Sequence, residues 1–340
     1  MLELGTYYSG RLSYQEVEKL IERISGKRCL SDQRIWQAVT ETAIAISQTL
    51  ADEVRQILQA SEDRAVTVAP KIDIYASKQP EILLFEDGIQ VKRQKSDRVS
   101  PARDSEELTT DVQPPQRKRV NTDVVILRTA DGKFEYLTAP IQEDGSPLLP
   151  LETVIKAKVT QEYGTGTVDV PLNIVSIVDG ARSIRRRLEA VFGPEVTVIL
   201  DWYHLCKKVR SFMGTLAQDK EHKRLYLREV LPRLWCGQVA QVLEYLETQV
   251  QARSPDALEE LLTYLRKHQT EIIDYRRRQQ AGKTIGSGRM EKGVDLVVGH
   301  RQKKKGMSWS QAGSHALALL KTEELNSRWE RLWFDESNAA

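Results

Sequence analysis

Cysteine is scarce in this 340-residue chain, and its three copies, Cys29, Cys206 and Cys236, include no Cys-x-x-Cys pair. An odd, scattered set argues against a disulfide framework and a cysteine zinc site, and fits a reducing cytoplasm. A zinc site built from His204 and Cys206 has poor spacing and no clear partners. No apolar run approaches the roughly 18–20 residues of a membrane span, so no membrane partner is expected. The start, Met1-Leu-Glu-Leu-Gly, lacks the basic-then-apolar pattern of a secretion signal. Charge of one sign is also lacking, with a net value of only +2. Global charge therefore does not point to nucleic acid. What remains is an ordinary globular composition, 40% apolar and 29% charged, long enough for two or three domains.

Two segments carry most of the information. Ile174-Val-Ser-Ile-Val178 and Val196-Thr-Val-Ile-Leu200 are short β-branched runs, each followed by an aspartate, Asp179 and Asp201. The amphipathic stretch Ala181–Phe192 between them predicts a strand–helix–strand unit with a carboxylate at the carboxyl end of each strand. Open α/β sheets gather their polar chemistry at those ends.

Around this unit the pattern is largely helical. Ser13 and Glu16 form a capping box, Val17, Leu20, Ile21 and Ile24 follow at helical spacing, and Gly26 stops the helix. A second helix is predicted from Ser31 towards Leu58. The pair reads either as a DNA-binding helix-turn-helix or as the commoner plain helical hairpin. Ile82–Val91 reads as strand, turn or bulge at Asp87-Gly88, then strand. Residues 95–121 read as a long polar loop, Asp123–Thr138 as a hairpin turning at Asp131-Gly132, and Leu149–Gln161 as a helix. Leu205 to about Gln280 is helical in pattern, punctuated by Pro232 and Ser254-Pro255. A glycine-rich break at Gly282–Gly288, a helix over Arg289–Val298, a basic loop at His300–Gly306 and a last helix over Ser310–Trp333 complete the chain. Three antiparallel strands followed by an αβαβ continuation is the order of an RNase H-like sheet. The helical block would then be an insertion before its last helix.

The chemistry this arrangement suits is phosphodiester cleavage. Two Mg²⁺ or Mn²⁺ ions about 3.5–4 Å apart activate the nucleophile and hold the leaving oxygen. Converging carboxylates suffice to bind them. Asp179 is the first candidate, although Asp-Gly is usually a simple turn. The other Asp-Gly pairs lie at Asp87, Asp131 and Asp144. Asp131 fits a hairpin turn and Asp144 a polar loop. Asp87 follows the most apolar strand of the first half and is the second candidate. Glu291 is the third, with Asp295 as its rival one turn on; a glutamate early in a helix is also favoured by the helix dipole alone. His204, near Asp201, reads as a carboxylate-orienting or phosphate-contacting group, or as a structural histidine. From Arg276 to Lys305, ten basic residues stand against two acids: Arg276, Arg277, Arg278, Lys283, Arg289, Lys292, Arg301, Lys303, Lys304 and Lys305. Such a run suits a phosphate backbone, or equally a solvated helix face.

With these residues placed, the chain resembles DDE transposases of prokaryotic insertion sequences, in particular the Kra-type group related to Mutator-like transposases. The resemblance rests on Leu83-Leu-Phe-Glu-Asp87-Gly88, Ile177-Val-Asp179-Gly180-Ala181, Ile199-Leu-Asp201-Trp-Tyr-His204 and Gly286-Ser-Gly-Arg-Met-Glu291. Arg301-Gln-Lys-Lys-Lys-Gly306-Met-Ser-Trp309 and Ser13-Tyr-Gln-Glu-Val17 are also similar to the family. It implies an α/β, RNase H-like core at 71–204 and 284–340, an all-α insertion at 205–283 and a helical DNA-binding segment at 1–70. It further implies a catalytic, metal-binding triad of Asp87, Asp179 and Glu291, an accessory Asp201-x-x-His204 element, and a two-metal Mg²⁺ or Mn²⁺ site. DNA ends, target DNA and a homo-oligomer assembled on DNA are the implied partners. Only twelve residues precede Ser13, where such proteins often carry a further region. A non-cutting DNA-binding protein of transposon origin and a truncated, inactive transposase are therefore alternatives. A two-carboxylate hydrolase of another class, such as a glycosidase, is a third, disfavoured by the basic run around Glu291.

Overall fold

The computed structural model describes residues 1–60, 67–69, 72–95, 119–129, 131–164 and 171–334. The chain begins with α1 (Leu2–Ser9), α2 (Tyr14–Ser25) and α3 (Asp32–Ala60). Next come β1 (Ile82–Lys92), β2 (Arg119–Arg128), β3 (Phe134–Leu137), α4 (Leu151–Tyr163), β4 (Ile174–Val178), α5 (Arg182–Phe192) and β5 (Thr197–Leu200). A run of five helices follows: α6 (Trp202–Leu216), α7 (Lys220–Trp235), α8 (Val239–Gln249), α9 (Pro255–Lys267) and α10 (Tyr275–Gln280). The last elements are α11 (Gly288–Val294), a π-helical turn (Asp295–Gly299), α12 (His300–Gln302), α13 (Gln311–Leu325) and α14 (Trp329–Phe334). Among the described residues no helix is long and apolar enough to cross a membrane.

The five strands form one mixed sheet in the order β3-β2-β1-β4-β5, flanked by helices. β1 pairs antiparallel with β2 and parallel with β4, and β4 pairs parallel with β5. Alternation sorts the side chains onto two faces. Leu83, Phe85, Ile89, Val91, Val175 and Ile177 enter the larger core, shared with α3, α6–α11, the π-helical turn and α13. Ile82, Leu84, Ile174 and Val178 enter the opposite core, beneath α4 and α5. Full burial of each such side chain contributes about 1.5–3 kcal/mol.

Several expectations require correction. Asp87-Gly88 is neither turn nor bulge: β1 runs straight through it, with Asp87 opposite Val124 and Gly88 opposite Asp123. Glycine is needed there for space, since a Cβ would lie 2.9 Å from Asp123 Oδ1. Asp131-Gly132 does turn the β2–β3 hairpin, with Gly132 at φ +84. The loop expected over 95–121 falls outside the described residues at 96–118, and its last residues, Arg119–Asn121, belong to β2. Pro232 lies inside α7 near its C-terminal end instead of breaking the helix. The helix expected over Arg289–Val298 passes into a π-helical turn at Asp295, and the basic loop begins with α12. The single last helix is two, separated by Asn326–Arg328, with Ser327 at φ 59.

The three N-terminal helices pack on one another. Val17, Ile21 and Ile35 form a small core between them. The inward face of α3 then continues through Val39, Ala43 and Ile46 into the larger core. The other end of the chain clasps this segment. Trp329 Nε1 donates to Glu3 Oε1 at 2.7 Å, and Arg11 pairs with Glu324.

Candidate functional site

Strand register builds the centre of the site. Glu86 pairs with Val178, and Val178 with Leu200. One step further along, Asp87, in the middle of β1 where its pairing with β4 ends, stands in a row with Asp179 and Asp201, which follow the ends of β4 and β5. Asp87 and Asp179 extend the alternation of Phe85 and Ile177, so both belong to the face of the larger core. Gly88 N–H donates to Asp87 Oδ1 at 2.7 Å, and Ala181 N–H donates to Asp179 Oδ1 at 2.8 Å. Gly180 turns with φ +92, and a Cβ there would lie 2.9 Å from the His268 ring.

Glu291 reaches this row from α11. Met290, Gly293 and Val294 face the sheet. Gly293 permits the close approach, because a Cβ would lie 2.5 Å from Ile126 Cδ1. Glu291 itself is exposed and places Oε1 3.9 Å from His204 Nε2. His204 Nδ1 lies 3.3 Å from Asp201 Oδ1, yet it is buried without a hydrogen bond of good geometry. The imidazole thus lies between Asp201 and Glu291, with Nε2 beyond hydrogen-bond distance of Glu291. Its pKa is raised, first by its contact with Asp201 and further by the charges of Asp179 and Glu291, against the opposing effect of burial.

Asp201 is a structural hub. It is fully buried, caps α6 by accepting the His204 N–H at 2.6 Å, and accepts the Ser287 N–H as well. Burial pushes its carboxyl up, but these donors outweigh burial and hold it below the usual range. Asp87 moves the other way. Burial raises its carboxyl, the Asp179 charge adds to that, and Glu291 contributes a smaller push. Asp179 and Glu291 are therefore both within electrostatic reach of Asp87. Among the described residues, however, no three His, Cys, Asp or Glu side chains form a group able to hold a metal ion. The structure brings the three acids to one end of the sheet without closing them into a cage. Asp295, the rival of Glu291, opens the π-helical turn, and its Oδ1 lies 2.4 Å from where a Cβ of Gly299 would be.

The basic run divides in two, apart from Lys283, which is partly exposed and pairs with Glu81 at 2.6 Å. Arg276, Arg277, Arg289, Lys292, Lys303, Lys304 and Lys305 are exposed. Arg277 and Arg289 stack over Tyr75 and Phe134, at 4.5 and 3.8 Å from the ring centroids. Lys304 donates to the Arg11 carbonyl at 3.2 Å. Arg278 and Arg301 are buried, which corrects their expected place on a DNA-facing surface. Arg278 makes a two-pronged pair with Glu81 at 3.0 and 2.8 Å and donates to the Ile74 and Thr284 carbonyls. Arg301 donates to the Ser9 carbonyl at 2.9 Å and packs against Trp309. In sequence a buried arginine and a surface arginine look alike; only their neighbours differ.

Sequence reasoning missed the group that holds the Asp179 turn. His268 and Glu271, both buried, lie 2.5 Å apart (Nδ1 to Oε2) just after α9. Glu271 pairs with Arg185 of α5, and its carbonyl accepts the Leu200 N–H at 2.9 Å. Tyr275 Oη donates to the Leu200 carbonyl at 2.7 Å, and its ring packs with Trp202 and Trp235. The helical run α6–α10 is thereby locked onto β5. Gly286 belongs in sequence to the glycine-rich break and to the Gly286–Glu291 motif, neither of which shows why a glycine stands there. Its role is space, since a Cβ would lie 2.6 Å from Tyr203 ring carbons.

No protein-family model matches the chain. No curated protein matches it either.

Proposed function

We propose that this protein is a DDE-type transposase, a polynucleotidyl transferase and nuclease with an RNase H-like core that moves an insertion sequence. The observation that carries the reading is the side-by-side position of Asp87 on β1 and Asp179 at the end of β4, with Glu291 brought towards them by α11. The strand order β3-β2-β1-β4-β5 supports it, being that of an RNase H-like sheet. The placement of α6–α10 between β5 and α11 agrees with an all-α insertion.

A divalent ion fits the donor chemistry. The three acids are hard oxygen donors, and a bound cation would offset both the burial that raises the Asp87 carboxyl and the smaller push from Asp179 and Glu291. Asp87, Asp179 and Glu291 would hold it. When bound, Mg²⁺ or Mn²⁺ supplies an activated oxygen nucleophile and neutralises charge on the phosphate. Asp201 positions Ser287 and hence α11. His204, beside Glu291, orients that carboxylate. Arg289 and Lys292 on α11 supply positive charge for the DNA backbone beside Glu291. An assembly of several copies on paired DNA ends is part of the same proposal.

A second reading is a DNA-binding protein that does not cut. It is favoured by one observation, the absence of a closed metal-binding group among the described residues. Incubation with element-end DNA and Mn²⁺, beside Asp179→Asn and Glu291→Gln, separates the two. Cleavage and strand transfer by the wild type, lost in both variants, is expected. Cleavage that persists in either variant removes that residue from the triad. Specific binding without cleavage favours the second reading. Light scattering on end DNA reads the assembly.

A further inference from the structure

A basic cleft lies directly beside the Asp179 turn, between α5 and the end of α9. It encloses about 330 Å³, and its wall includes Gly180 and the buried His268. Four cations line it, Arg182, Arg185, Arg186 and Lys267, against two acids, Glu189 and Glu271. Arg185 pairs with both acids, with Glu189 at 2.8 Å and also with Glu271. Arg182, Arg186 and Lys267 are exposed and have no ion-pair partner among the described residues. The walls are fixed from below, because Glu271 ties His268 to Arg185 and so binds the end of α9 to α5.

Scattered arginines on a helix are ordinarily a solvated face. Here three unpaired cations from two separate elements converge on one concavity, at the end of the sheet where Asp87, Asp179 and Glu291 lie. An acidic cluster repels a phosphodiester. Positive charge within about one Debye length, roughly 10 Å at 0.1 M salt, offsets that repulsion. Arg182 opens α5 immediately after the Asp179-Gly180-Ala181 turn, which places its backbone at that range.

We infer that this cleft grips the phosphodiester backbone of a DNA strand as it passes the Asp179 side of the carboxylate row. Arg182, Arg186 and Lys267 each contact a phosphate. The inference rests on the nucleic-acid reading above and adds a second contact surface, separate from α10–α12.

The test is fluorescence anisotropy of the full chain on labelled duplex DNA without divalent ions, between about 50 and 200 mM salt. Each phosphate contact contributes roughly 0.9 to the slope of log affinity against log salt. The triple variant Arg182→Ala/Arg186→Ala/Lys267→Ala is expected to flatten that slope by about 2.7, and each single variant by about 0.9. The charge-conserving set Arg182→Lys/Arg186→Lys/Lys267→Arg is expected to keep the wild-type slope. Circular dichroism checks folding, and the single variants carry the test if the triple does not fold. A wild-type slope in the alanine variants overturns the cleft and leaves the nucleic-acid reading standing. Equal flattening in the charge-conserving set also overturns it, because packing and not charge would then be responsible. Absence of salt-dependent DNA binding by the wild type overturns both.

Discussion

The Asp201 carboxylate accepts the backbone N–H of Ser287, joining the end of β5 to the start of the helix that carries Glu291. The same carboxylate caps α6. Asp201→Ala removes the cap and strands a buried N–H, at a combined cost of about 2–4 kcal/mol. Asp201→Asn keeps an oxygen acceptor and costs less. Urea unfolding of both variants checks this, and an alanine variant as stable as the wild type would show that the tie does not hold the site together.

Asp87 makes a pH-dependent prediction. Its carboxyl is raised in the folded state, first by burial and then by Asp179. The folded protein therefore keeps a proton that the unfolded chain, near pKa 3.9, has already released. Stability falls as pH rises from about 3.9 through the folded value, since that charge is harder to bear in the folded state. Asp87→Asn is expected to raise the melting temperature at pH 7 and to lose that advantage in strong acid. Mn²⁺ is expected to stabilise the wild type more than the variant. Calorimetry with and without EDTA reads both effects; an equal Mn²⁺ shift in the variant excludes Asp87 as a ligand.

Glu86, next in the chain but on the opposite face, gives an independent pH signal. Burial lifts its carboxyl to about 8, although Arg187 pulls it down. Arg187 also reaches Asp123 and Glu152, at 2.9 and 3.1 Å. By the same sign argument, Glu86 lowers stability as pH rises from about 4.3 towards 8. Glu86→Gln is expected to flatten the fall of the urea midpoint across that window and to exceed the wild type above pH 8. An unchanged pH slope in the variant would rule Glu86 out as its source.

Gly180→Ala forces a side chain onto a φ of +92 and into the His268 ring. A cost of about 1–3 kcal/mol follows from the backbone alone. Because the turn carries Asp179, DNA cleavage is expected to fall further than stability accounts for. Measuring cleavage well below the melting temperature separates the two; full activity there would show that the turn geometry is not needed.

Arg278 separates burial from DNA contact. Arg278→Ala leaves Glu81 paired with Lys283 alone and strands the Ile74 and Thr284 carbonyls, and is expected to cost about 1.5–3 kcal/mol. Arg276→Ala, on the surface, is expected to stay within about 0.5 kcal/mol of the wild type. Thermal unfolding compares them, and a wild-type melting point for Arg278→Ala would contradict its structural role.

These residues also explain what the sequence could and could not reveal. β4, α5 and β5 were legible because period-two and period-3.6 patterns report burial locally. The capping box at Ser13 and Glu16 was legible for the same reason, its partners being three residues apart. Gly88 misled because its glycine answers a cross-strand carboxylate, Asp123, and not a turn. Asp87, Asp179 and Glu291 were named from motifs, but their common position depends on strand register. The grip of His268 and Glu271 on the Asp179 turn joins residues about ninety positions apart, and no periodicity encodes it.

The 29-residue α3 is about 43 Å long and touches all three apolar cores. Much of what covers its inner face comes from α13, near the far end of the chain. During synthesis at about 5–20 residues per second, α3 leaves the ribosome on the order of tens of seconds before that cover. Through that interval the nascent chain carries an unburied apolar stripe, so vectorial synthesis makes this helix the natural point of engagement for a holdase chaperone.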